Sequence, residues 1–172
     1  GIERVRENIL AAGIGSDVPK YPSIFLGSFS GSLRALTVAY AALANDGVAP
    51  SPHLLDRVED PQGRVLYRYK GSVQRILPSN VARLTAGVLR EAMTRGTGQI
   101  AAAFGYRGEA AGKTGTTNDY KDAWFIGFDR ETTCGVWVGF DQPKRIVDRG
   151  YGATLALPIW VKIMNAANAE GG

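Results

Sequence analysis

The stretch that most limits what this chain can become is Gly112-Lys113-Thr114-Gly115-Thr116-Thr117, followed after a polar break by Ala123-Trp124-Phe125-Ile126-Gly127-Phe128. Threonine branches at Cβ, so several of them beside glycines favour an extended backbone over a helix. With the polar residues Asn118 to Lys121 in between, the pattern reads strand, turn, strand. Side chains alternate along a strand, which puts Thr114 and Thr116 on one face with Gly115 between them. Two hydroxyls on a face, a glycine that admits a ligand to the backbone and an adjacent ammonium form a receptor for a carboxylate. The same residues also suit a plain edge strand whose Lys113 discourages sheet-to-sheet pairing. On this stretch alone both readings stand.

Gly108-Glu109-Ala110-Ala111-Gly112-Lys113-Thr114 has the outline of a phosphate-binding loop, but that loop needs four residues between its glycines and a helix after it. Only three residues separate Gly108 from Gly112. The Gly and Thr that follow are poor material for a helix start, which sets nucleotide binding aside.

A chain of 172 residues with 45% apolar content can bury one sizeable core, so one domain is expected. The net charge of +4 comes from scattered Lys and Arg with no basic stripe, which argues against nucleic acid as a partner. Cys134, the sole cysteine, excludes an internal disulfide, and its apolar strand context marks it as a small core residue. One His and one Cys also argue against a metal centre, and no cofactor is indicated. No secretory signal is visible, and no apolar run is long enough to span a bilayer.

Ile2, Val5 and Ile9 recur at helical spacing up to Gly13, with no capping residue ahead of Ile2. Residues 14–31, rich in Gly, Ser and Pro, read as a long loop. Ser32 is a good N-cap for a helix from Leu33 to Asn45 that buries Leu36, Ala39, Tyr40 and Leu43. Residues 53–70 form a peripheral hairpin turning at Asp60-Pro61-Gln62-Gly63, a type I composition. His53, at its start just after Pro52, has no Ser-Asp constellation around it and reads as structural or exposed. Ser79 caps a helix over Asn80 to Thr94 with Leu84, Val88, Ala92 and Met93 inward, and Gln99 to Phe104 make a short further helix or turn. Residues 109–140 hold three sequential strands. In the last of them Cys134, Val136, Val138 and Phe140 share a face opposite Gly135, Trp137 and Gly139. Residues 154–169 close the chain with a helix carrying Pro158 in its first turn, where a missing N–H does little harm. The order predicts an α+β fold, an antiparallel sheet flanked by helices.

Taken together, Leu43-Ala44-Asn45-Asp46-Gly47, Gly63-Arg64-Val65-Leu66-Tyr67, Arg95-Gly96-Thr97-Gly98, Gly112 to Thr117, Asp122-Ala123-Trp124-Phe125-Ile126-Gly127 and Pro158-Ile159-Trp160 carry a resemblance. The chain resembles, over residues 1–172, the C-terminal portion of the transpeptidase domain of class A (bifunctional) penicillin-binding proteins, in the superfamily of serine penicillin-binding proteins and β-lactamases. The Lys-Thr-Gly element is a known mark of that superfamily. The resemblance implies a β-lactamase/transpeptidase-like fold, present in part, and a D,D-transpeptidase activity that cross-links peptidoglycan stem peptides. In that chemistry a serine attacks the carbonyl between two D-alanines, and an amine resolves the acyl-enzyme; β-lactams imitate the substrate and stall there.

By the same resemblance, Thr114, Gly115 and Thr116 bind the carboxylate of the peptide or the drug. The Thr116 backbone N–H supplies half an oxyanion hole, and Lys113 raises the positive potential and organises proton transfer. Strict alternation aims Lys113 away from the threonine face, so its stem must curl round the strand edge. The family also needs Ser-x-x-Lys and Ser-x-Asn. Neither spacing occurs here, and Ser16 to Lys20 is one residue too long. The nucleophile serine is therefore expected upstream of Gly1, in the N-terminal part of the domain. The chain alone is expected to be inactive. The resemblance places the whole protein in the bacterial cell envelope, outside the cytoplasm, joined to the membrane by an anchor not encoded here. A non-catalytic module or penicillin sensor that binds peptidoglycan or a partner is the alternative. A β-lactamase fits less well, since no residue is assignable to a deacylating water.

Overall fold

A computed structural model of the protein describes residues 1–15 and 17–170. Ser16, and with it the Ser16–Lys20 spacing, lies outside the described residues. Helix α1 (Ile2–Ala11) turns Ile2, Val5 and Ile9 to one side. The segment after it is more than a loop: Pro22–Leu26 form a 3₁₀ turn whose Ile24 is buried with Val18 and Ile9 in a small satellite cluster. Three scattered apolar residues anchor this turn, which composition by stretches does not register.

Helix α2 (Leu33–Ala44) starts where Ser32 Oγ accepts the Ala35 N–H at 3.1 Å. Its fully buried residues are Ala39 and Ala42, whereas Leu36, Tyr40 and Leu43 are half-buried. Leu36 and Tyr40 border an open cleft, and Tyr40 also packs, with Leu43, on the cluster of Ala86, Ala111 and Phe128.

Strands β1 (Val48–Pro50), β2 (Arg57–Glu59), β3 (Val65–Arg68) and β4 (Val73–Arg75) form two nested antiparallel ladders, β1 with β4 and β2 with β3. The inner ladder is shorter than expected because a bulge between Val58 and Glu59 breaks its register. At the tip the Gly63 N–H donates to the Asp60 carbonyl at 2.9 Å, and Asp60 Oδ1 accepts the Gln62 and Arg64 N–H groups at 3.1 and 2.8 Å. His53 is structural here: Nε2 lies 2.6 Å from Asp56 Oδ1, and the ring stacks on Tyr69 with centroids 3.6 Å apart.

Helix α3 (Ser79–Thr94) corrects two expectations. Ser79 is its first residue rather than its cap, and its hydroxyl receives a bond from Arg75 Nη1 at 3.2 Å. Ala82 and Ala86 face inward with Leu89 and Met93, while Leu84 and Val88 are exposed. Helical spacing supports either stripe. The small alanines win because they let the helix approach the sheet closely, and Ala86 packs on Ala111.

After a 3₁₀ turn at Gln99–Ala102 come β5 (Ala111–Thr116), β6 (Asp122–Phe128) and β7 (Thr133–Gly139), an antiparallel sheet in the order β5-β6-β7. Helix α4 (Gly152–Glu170) starts earlier than expected, so Pro158 stands in its second turn and leaves the Thr154 carbonyl without its helical donor. The helix continues because its inner face is the centre of the core. Trp160, Leu157, Val161 and Met164 are almost fully buried against Phe125, Val136 and Tyr106, with Cys134 and Val138 packed on the cluster. Each large side chain there contributes up to about 1.5–3 kcal/mol. α2 covers the opposite face, which makes helix, sheet, helix the layer order. No helix among the described residues is long and apolar enough to cross a membrane.

Candidate functional site

Among the described residues β5 has a strand neighbour on one side only. The Thr117 N–H donates to the Asp122 carbonyl at 3.2 Å, which sets the ladder's phase. Thr117, Gly115 and Lys113 then occupy hydrogen-bonded positions opposite Asp122, Trp124 and Ile126. The N–H and C=O groups of Thr114 and Thr116 are left pointing at the open edge. Thr116 is exposed and Thr114 half-buried, so neither hydroxyl is lost in packed hydrocarbon.

Lys113 resolves the alternation problem by curling round that edge. Its Nζ donates to the Thr114 carbonyl at 3.0 Å and to Thr114 Oγ1 at 3.3 Å. Thr114 Oγ1 also lies 2.6 Å from Thr97 Oγ1, and Thr116 Oγ1 accepts the Gly152 N–H at 3.0 Å. Ammonium, two hydroxyls and an outward amide therefore share one edge.

A cleft of about 310 Å³ runs along this edge, lined by Lys113 to Thr117 on one side and by Leu36, Tyr40 and Phe29 on the other. Burial pushes the Tyr40 phenol above its usual range, so the floor stays uncharged. Asp122, beside the strand end, is already engaged: it takes Trp137 Nε1 at 2.8 Å on Oδ1 and the Thr117 hydroxyl at 3.1 Å on Oδ2. Cys134 is no competing nucleophile, since burial pushes its thiol upward and it packs on the core.

A larger cavity of about 510 Å³ lies elsewhere, around Tyr106, Glu109, Asp129 and Asn168. At its centre Asp129 accepts from the Tyr106 hydroxyl, the Asn168 amide and the Glu131 and Thr132 N–H groups. Burial alone would raise the Asp129 carboxyl, but the Thr132 and Glu131 N–H groups, Asn168 and Tyr106 together hold it below the usual range. The Asp129 cluster ties the end of α4 to the end of β6.

Thr97, Gly152, Leu36 and Tyr40 also meet the site, although sequence spacing alone gives none of them a part in it. The first sits in the quoted Arg-Gly-Thr-Gly motif, which was a signal. The other three meet the strand only through the tertiary fold.

A family model described as the penicillin binding protein transpeptidase domain matches residues 23–165. Penicillin-binding protein 1A of Neisseria gonorrhoeae is 39% identical over 158 residues, 88% of this chain and 20% of that protein. The crystal structure of penicillin-binding protein 1A from Haemophilus influenzae matches with a TM-score of 0.86 at 25% identity, over 97% of this chain and 31% of that one. PonA1 from Mycobacterium tuberculosis, solved in complex with penicillin V, matches with a TM-score of 0.79 at 25% identity, over 97% of this chain and 50% of that one. The chain belongs to the penicillin-binding protein transpeptidase family. It spans about a fifth of the length of the curated relatives it matches, and its helices and antiparallel sheet are those of the matching part of the transpeptidase domain.

Proposed function

We propose that this chain supplies one wall of a peptidoglycan D,D-transpeptidase site in the bacterial cell envelope. Thr114 and Thr116 donate to the terminal carboxylate of a stem peptide, or to the carboxylate of a β-lactam, beside the Lys113 ammonium. The outward Thr116 N–H forms half of the oxyanion hole, where a preformed donor stabilises the charge that develops on the attacked carbonyl. The serine, and the N–H completing the hole, come from protein outside this chain, seated along the cleft in front of β5. One observation carries the reading: the curl of Lys113 brings its ammonium to the edge already occupied by both hydroxyls and the Thr116 N–H.

The test uses the longer protein that carries this segment together with its serine. Fluorescent penicillin should label that protein covalently and leave the isolated chain unlabelled. Lys113→Ala should lower acylation by roughly 10²–10³-fold, the scale for loss of one transition-state electrostatic element. A folded variant within a few-fold of wild type removes Lys113 from the site. A labelled band from the isolated chain that survives denaturation removes the claim that the nucleophile lies elsewhere.

A further inference from the structure

Among the described residues the Thr97 hydroxyl has one hydrogen-bond partner, Thr114 Oγ1 at 2.6 Å, and that pair joins two segments seventeen residues apart. A hydroxyl carries one proton and two acceptor lone pairs, whereas an ammonium only donates. Lys113 Nζ, 3.3 Å away, therefore takes one lone pair of Thr114 Oγ1. If Thr97 donates to the other, the Thr114 proton is freed for an acceptor at the edge. If Thr97 instead accepts, the Thr114 proton is spent inside the protein. An anion at the edge selects the first arrangement, a relay from Thr97 to Thr114 to the ligand in which each bond polarises the next. Thr116 Oγ1 has one lone pair taken, by the Gly152 N–H, and keeps its proton to donate.

The segment that presents Thr97 is built for a fixed position. The Gly98 N–H donates to the Ala92 carbonyl at 3.0 Å, and the Gln99 N–H to the Gly96 carbonyl at 3.2 Å. A Cβ at Gly96 would sit 2.8 Å from the Ala92 carbonyl oxygen, and one at Gly98 would sit 2.6 Å from Met93 Sδ. Gly96 faces backbone that cannot move aside, so it must be glycine for the turn to fold flat against the end of α3 and aim Thr97 at β5. At Gly98 it is the flexible Met93 side chain that would have to shift. That gives Arg95-Gly96-Thr97-Gly98 a physical reason.

We infer that Thr97 is a positioning residue for carboxylate recognition: it donates to Thr114 Oγ1 and so commits the Thr114 proton to the carboxylate of the substrate or drug. The inference rests on the proposed role of Thr114.

The test, in the longer serine-containing protein, compares acylation by benzylpenicillin with acylation by its methyl ester, which lacks the anion. Thr97→Val keeps shape and removes the donor. It should slow acylation by the acid about five-fold, the scale of one hydrogen bond, and leave the ester within about two-fold. Thr97→Ser should restore the acid rate. Should the valine variant misfold, Thr97→Ala is read in the same way. Equal slowing with acid and ester makes Thr97 merely structural and overturns the inference, as does no slowing with either. Thr114→Val separates the two proposals. If it discriminates acid from ester and Thr97→Val does not, only the Thr97 inference fails; if it does not discriminate, the carboxylate reading fails and takes the inference with it.

Discussion

The chain contains two antiparallel systems of the same local geometry and opposite character. In the sheet of β5, β6 and β7, Ala123 and Phe125 are 0% exposed and Phe128 is 4% exposed. In β2, β3 and β4 every residue is exposed. The first system is held by helices on both faces. The second is held by a turn, by main-chain ladders and by charge pairs such as Arg64–Asp60 at 2.9 Å and Arg57–Glu59 at 3.0 Å, which contribute little each in water. Pairing alone does not make a strand rigid; cover does. The candidate site lies where the two conditions meet, on a strand buried at its Ala111-Gly112 end and open at Thr116. Such a strand keeps its donors fixed while leaving them reachable.

The largest effect should therefore come from cutting into the covered sheet. Phe125→Ala removes a fully buried ring packed 4.9 Å from Trp160 and should cost about 3–5 kcal/mol of unfolding free energy in urea. Leu66→Ala in β3, where the side chain is 60% exposed, should change it by no more than about 0.5 kcal/mol. Similar costs at the two positions would break the comparison.

A smaller effect sharpens it by coupling cover to the site. A Cβ at Gly152 would collide with the Trp124 carbonyl and come within 2.7 Å of the Gly115 carbonyl, both backbone groups that cannot swing aside. Gly152→Ala should cost about 1–3 kcal/mol and, by shifting β5 under the start of α4, slow penicillin acylation of the longer protein. A Cβ at Gly71 meets only the Tyr69 ring, at 3.3 Å, so Gly71→Ala should leave acylation unchanged. Full acylation by a destabilised Gly152→Ala protein would show that α4 supports the fold without setting the strand.

What could be read beforehand follows the same division. The strand, turn and strand around Lys113, the Ser32 cap and the turn at Asp60 are local patterns, where neighbouring residues decide the outcome. Helix α3 was misread because Leu84 and Val88 form an apolar stripe as regular as Ala82, Ala86, Leu89 and Met93. Only the close approach of Ala86 to Ala111 chooses between them. The second ladder, β1 with β4, escaped notice because its strands are three residues long and enclose a hairpin. At the candidate site the residues of β5 were legible in one motif. Gly152, Leu36, Tyr40 and the aim of Thr97 reach it from other elements, and the path of the Lys113 stem depends on an open edge that spacing does not encode.

The smallest effect tests the rim of the covered region. Tyr106 is 5% exposed at the end of the core, its ring 5.1 Å from Trp160 and its hydroxyl donating to Asp129 Oδ2 at 3.3 Å. Burial, with the Asp129 charge beside it, pushes the phenol up to about 12. An unfolded tyrosine ionises near 10, so the folded state holds its proton more tightly than the unfolded state does. The resulting stability is fully present below about pH 10 and is lost as pH rises towards about 12. Because the adjoining cavity is open to solvent, screening holds the effect to about 1 kcal/mol. Tyr106→Phe cannot ionise, so subtracting its urea stability from that of wild type at each pH isolates this one group from the lysines and other phenols. The difference should be flat from pH 7 to 9 and then shift against wild type between about pH 10 and 12. A flat difference across the whole range would mean that the rim around Tyr106 is as open to water as the hairpins.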